Sequence, residues 1–93
     1  AAWADACARQ GAHLRTVAIP LPYAREELVA RMMAAVTPRT RVVFASHLTS
    51  TTALIIPVAE LCHAARARGL VTVIDGAHAP GQIDLDLRAI DAD

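Results

Sequence analysis

Along the chain, stretches of helical period alternate with short runs of near-continuous apolar residues. Residues 1–10 are Ala-rich and helical in character, and Gly11 stands where a helix would stop. Residues 13–19 read as a short strand, closed by "PLP" at 20–22. Glu26 and Glu27 then suit the first turn of a helix, where carboxylates oppose the positive end of the dipole. Leu28, Val29, Met32, Met33 and Val36 follow at helical spacing and form one apolar face, with the two methionines as core filler. "TPRT" at 37–40 breaks that helix, and "RVVFASH" at 41–47 is an apolar strand with a polar carboxyl end. "LTSTTALII" at 48–56 is a hydroxyl-rich connection. Pro57 opens the next helix, whose buried face is Val58, Leu61, Cys62 and Ala65, and Gly69 ends it. Residues 70–75 form another apolar strand, and only a partly polar tail remains from Asp84 onward.

The predicted order is helix, strand, helix, strand, helix, strand. Apolar strands separated by helices of about ten residues argue for an α/β fold. Its sheet is mainly parallel, in three layers with helices on both faces. Crossovers between such strands are right-handed.

Composition narrows the picture. The 93 residues are 55% hydrophobic with a formal net charge of zero, which suits one small globular unit with a thin core. The basic residues are dispersed, so nothing suggests a nucleic-acid or membrane surface. The apolar runs are far shorter than a membrane span. Cys7 and Cys62 read as reduced thiols of a cytoplasmic protein. All nine basic residues are Arg, the chain does not begin with Met, and it stops just after a turn. These features suggest a piece of a longer protein.

In open parallel sheets, ligands bind beyond the carboxyl ends of the strands. Two strand ends here carry polar groups: Ser46 and His47 followed by "TSTT", and Asp75 followed by His78. Asp75 ends an apolar run, "LVTVIDGAHAPGQIDLDL", where a carboxylate wants a cationic or hydrogen-bonding partner. It has three uses there: to cap a helix, to ligate a metal, or to hold a protonated ring nitrogen. A Gly-Ala-His-Ala-Pro-Gly loop follows it rather than a helical pattern, so capping fits less well. The hydroxyl run reads either as a turn or as a ring of neutral donors around an anionic group. His13 and His63 read as solvent-facing. GxGxxG, GxxxxGK[ST], HExxH, CxxC and GxSxG are absent.

"VIDGAHAPGQIDLDL" together with "FASHLTSTTALIIPVAEL" resembles the class V aminotransferases, which include cysteine desulfurases and isopenicillin N epimerase-like proteins. "GAHLRTVAIPLP" and "ELVARMMAAVTPRTRVVFASH" extend the resemblance over nearly the whole chain. It implies an incomplete segment, residues 1–93, of the large domain of a fold-type I enzyme that uses pyridoxal 5′-phosphate. Asp75 matches the aspartate that pairs with the pyridine nitrogen of the cofactor, making the ring a better electron sink. His78 matches a position near the phenolate oxygen, where desulfurases usually have Gln and the epimerase-like branch has His. Ser50 matches a ring-side position that is Asn in desulfurases, with Thr49 beside it. Ala53 stands where the family usually has Gly.

The family's Schiff-base lysine would lie downstream, and its stacking and phosphate-binding residues upstream. The chain contains no lysine, so no catalytic residue is assigned within it, and alone it is expected to be inactive. The implied substrate is an amino acid or a sulfur-containing derivative of one, and the implied assembly is a homodimer. Two alternatives stand beside this reading. One is a non-catalytic α/β module. The other is a metal-dependent hydrolase using Asp75, His78 and His47, with Asp84 or Asp86 as further ligands.

Overall fold

The computed structural model describes residues 2–19, 21–49 and 54–93. Its elements are α1 (Ala2–Gln10), α2 (Arg25–Ala34), β1 (Val42–Ser46), α3 (Val58–Ala67), β2 (Val71–Asp75) and α4 (Leu87–Ile90). The two strands pair in parallel, Val42 opposite Val71 through Ser46 opposite Asp75, with α3 as the crossover between them.

The helical faces read from the sequence are the faces that bury. Val58, Leu61, Cys62 and Ala65 are the buried residues of α3. Leu61 and Ala65 form one cluster with Val43 and Leu70, against which Val29, Met32, Met33 and Val36 pack. Gly11 and Gly69 follow α1 and α3 with φ of 66° and 72°, a left-handed conformation that costs glycine little. α2 ends at Ala34, and in the 37–40 turn beyond it the Thr37 N–H donates to Thr40 Oγ1 at 2.9 Å and the Thr40 N–H to the Thr37 carbonyl at 3.0 Å.

Two expectations need correcting. Residues 13–19 are not a strand: they belong to no ladder, and residues 13–16 and 18 are exposed. A strand needs a partner for its backbone groups, and among the described residues this segment has none. Among the described residues the two faces of the sheet are covered unequally. Val43, Ala45, Thr72 and Ile74 lie on the covered face, whereas Val42, Phe44, Val71 and Val73 are 38–48% exposed on the other. On that second face, Trp3 of α1 stacks against Phe44, ring centroids 5.2 Å apart.

The second correction concerns the tail, which contains α4. Asp86 caps it, its Oδ1 accepting from the N–H groups of Arg88 at 3.0 Å and Ala89 at 3.1 Å. Asp91, at φ 54°, ends it. Ile90 buries beside Val58 and Cys62, with Ile56 and Ile74 around them, which fastens the tail to α3.

Candidate functional site

Parallel pairing brings the carboxyl ends of β1 and β2 to one edge. Ser46 lies opposite Asp75, and the backbone N–H of His47 donates to the Asp75 carbonyl at 2.9 Å. His47 is buried, at 8% exposure, so it belongs to the floor of this edge, while Asp75 and His78 are exposed on it. Asp75 caps no helix. Its Oδ1 accepts the N–H of Ala77 at 3.0 Å, a local turn bond that fixes the carboxylate at the strand end. Among the described residues its other oxygen accepts no hydrogen bond. The chain then turns tightly: the Ala79 N–H donates to the Gly76 carbonyl at 3.0 Å, Ala79 is fully buried, and Gly81 takes φ 79°. His78 sits in this turn, three residues beyond Asp75.

The exit from β1 closes on itself. Leu48 and Ile55 form an antiparallel bridge, and the Ile56 N–H donates to the His47 carbonyl at 2.8 Å. Thr49 and Leu54 are joined twice: Thr49 N–H to Leu54 carbonyl at 3.0 Å, and Leu54 N–H to Thr49 Oγ1 at 2.8 Å. The Tyr23 hydroxyl donates to the Ile55 carbonyl at 2.7 Å, tying in the segment before α2. The hydroxyl run therefore leaves from and returns to the edge that carries Asp75. Ser50, and Ala53 with it, lies outside the described residues.

Other candidates fall elsewhere. His13 and His63 are exposed, as read from the sequence. Cys7 and Cys62 are free, and burial pushes the Cys62 thiol above its ordinary pKa. Among the described residues, no group of three or more His, Cys, Asp or Glu is arranged to hold a metal ion. The metal reading of His47, Asp75 and His78 with Asp84 or Asp86 therefore draws no support from their placement.

One polar feature was not foreseen from sequence. Thr72 is 1% exposed, and its N–H and hydroxyl both donate to Asp93 Oδ2, at 3.0 and 3.1 Å. The Asp93 N–H donates back to Thr72 Oγ1 at 3.1 Å. Arg66 adds a bond to the Asp91 carbonyl at 2.7 Å and an ion pair with its carboxylate at 3.2 Å. The Thr72 N–H first, then its hydroxyl and the charge of Arg66, hold the Asp93 carboxyl below its ordinary value, against partial desolvation. Its contribution to stability is therefore complete above the ordinary carboxylate pKa of 3.8 and fades as pH falls below it. Asp93→Asn should lower the melting temperature at pH 7, and that effect should shrink progressively as pH falls below 3.8. A melting difference that is constant across this range would refute the assignment.

The two strand ends, with their carboxylate, imidazole and hydroxyl groups, can be set beside known proteins. The model of the family "Aminotransferase class-V" matches residues 1–93. This chain belongs to the class V aminotransferases. The family's cofactor is pyridoxal 5′-phosphate. An isopenicillin N epimerase of Streptomyces clavuligerus is 54% identical over 92 residues, covering 98% of this chain and 23% of that protein. An isopenicillin N epimerase of Amycolatopsis lactamdurans is 44% identical over 93 residues, with the same coverage of both chains. "Putative L-cysteine desulfhydrase 1" of Oryza sativa subsp. japonica is 36% identical over 94 residues, covering 92% of this chain and 20% of the relative. The chain thus spans between a fifth and a quarter of the length of these class V relatives. No helix among the described residues is long and apolar enough to cross a membrane.

The donor set at the strand ends suits the family cofactor. An exposed carboxylate anchored through one oxygen is matched to a protonated ring nitrogen, and a nearby imidazole to a phenolate oxygen.

Proposed function

We propose that this chain supplies one wall of the pyridoxal phosphate site in a longer class V enzyme. That enzyme acts on an amino acid or a sulfur-containing amino-acid derivative, by epimerisation, C–S cleavage or transamination. Residues 1–93 would then be a segment of a three-layer large domain, with the β1–β2 pair part of its mainly parallel sheet. The reading is carried by one observation: Asp75 stands exposed at the carboxyl end of β2, with Oδ1 tied to Ala77 and no described residue bonded to the other oxygen. When bound, the cofactor supplies an electron sink for the carbanion formed at the α-carbon of the substrate.

The roles of the residues follow from their chemistry. The Asp75 carboxylate holds the proton on the ring nitrogen, and the bond from Ala77 keeps it oriented. His78 would meet the phenolate oxygen with its imidazole. Thr49, and Ser50 by the resemblance, would serve the ring, with Thr49 also holding the two ends of the loop together through Leu54. The lysine and the phosphate-binding groups come from other parts of the longer protein. Among the three outcomes, epimerisation draws the most support, from the 54% and 44% identities to isopenicillin N epimerases against 36% to the desulfhydrase.

The test is the visible spectrum of the protein from the complete reading frame, expressed with pyridoxal phosphate. A yellow band bleached by borohydride is expected. A colourless protein that takes up no cofactor overturns the reading and leaves the polar strand ends to structure alone.

A further inference from the structure

At the opposite edge of the sheet, the turns that lead into β1 and β2 enclose an open cleft of about 510 Å³, in the size range of small-molecule sites. Thr37, Thr40, Arg41, Arg68 and Leu70 are among its lining residues. It lies one strand length, about 16 Å for five residues, from the edge that carries Asp75.

Arginines gather there. Arg41 Nη1 donates to the Pro38 and Thr40 carbonyls, both at 3.1 Å. Arg68 Nη1 donates to the Met33 carbonyl at 3.2 Å, and Arg15 Nη1 to the Ala35 carbonyl at 3.3 Å. Arg39 lies in the same 37–40 turn. The arginines that pair with carboxylates are Arg25, Arg31 and Arg66, all elsewhere. Among the described residues, Arg15, Arg39, Arg41 and Arg68 pair with no acid, and no acidic residue lines the cleft.

A simpler use for these guanidinium groups is structural: Arg15 and Arg68 offset carbonyls at the end of α2, and Arg41 braces the 37–40 turn. That use occupies only one nitrogen of each. A guanidinium has five donors in a planar fork, and Nε and Nη2 of Arg41 and Arg68 make no hydrogen bond with the described residues. Two such forks in one cleft without a carboxylate make a surplus of charge and donors, and this is what a multi-oxygen anion satisfies. The carbonyl bonds also hold the forks in place before any ligand arrives.

We propose that this cleft binds a small oxyanion of the phosphate type between Arg41 and Arg68. The site is separate from the cofactor edge, so its failure would leave the proposed function standing.

The test uses the full-length protein saturated with pyridoxal phosphate, so that inorganic phosphate cannot register by entering a cofactor site. Calorimetric titration with inorganic phosphate at fixed ionic strength should show saturable binding. Arg41→Gln and Arg68→Gln, which keep a polar side chain but remove the charge and the fork, should each weaken it about tenfold, the loss of one charge-assisted contact. Arg9→Gln and Arg88→Gln should leave it unchanged. A second measurement needs no variant: phosphate should protect Arg41 and Arg68, but not Arg9 and Arg88, from phenylglyoxal, as mapped by mass spectrometry. Absence of saturable binding, equal loss in the control variants, or unprotected modification of Arg41 and Arg68 would each overturn the proposal.

Discussion

Replacing Asp75 with Ala in the full-length protein should lower turnover by about two to three orders of magnitude, with little loss of stability. The reasoning begins with position. The carboxylate is exposed at the end of β2, and its only bond to a described residue is the one from Ala77 N–H at 3.0 Å. Losing that bond costs the fold about 1 kcal/mol. On the proposed reading, the same substitution removes the charge that holds a proton at the ring nitrogen. Removing one partner of a desolvated charge pair costs about 2–5 kcal/mol, and each 1.4 kcal/mol is a factor of ten. Asp75→Asn separates the two roles, because its side-chain oxygen can still accept from Ala77 while the charge is gone. Asn should therefore restore stability and not turnover. Steady-state kinetics beside thermal melts of both variants decide the matter, and parental turnover in the Asn variant would rule out a charge role.

The second large effect is on folding. Leu61 has no exposed surface and lies at the centre of the cluster with Val43, Ala65 and Leu70. Leu61→Ala removes three carbon atoms from a site enclosed by α2, α3 and the sheet, where collapse is limited. Such changes cost about 2–5 kcal/mol against a total stability of about 5–15 kcal/mol for a domain. A urea titration should show the unfolding free energy lowered by that amount. Leu87→Ala, at a residue 72% exposed, should move it by less than about 0.5 kcal/mol. Equal shifts in the two variants would mean that the core is not where this structure places it.

What the sequence revealed was local. The faces of α2 and α3, the two strands and the stops at Gly11 and Gly69 depend on spacing and on backbone freedom, both properties of neighbouring residues. Asp75 stood out because a carboxylate ending an apolar run is expensive unless it has a partner. What escaped depends on contacts far along the chain. Residues 13–19 have the composition of a strand, but a strand is made by its partner. The four residues of α4 are too few to form a helix unaided, and its place depends on Ile90 packing beside Val58 and Cys62. Asp86 ahead of "LRAI" was a legible cap that went unread. The bond from Thr72 to Asp93 spans 21 positions, and no pattern announces it. The closure of the hydroxyl loop by Leu48 and Ile55 was hidden in the same way, because an apolar run at 54–56 looks the same whether it is buried or clasping a loop.

The open face formed by Val42, Phe44, Val71 and Val73 has a practical consequence for anyone handling this chain by itself. These four side chains make a row of half-exposed cross-strand neighbours, and among the described residues each strand pairs along one side only. Unshielded apolar surface beside unpaired strand edges is a template for self-association. Isolated copies should therefore gather into oligomers as concentration rises, and mild detergent or a Lys placed at position 71 would be the first remedy to try.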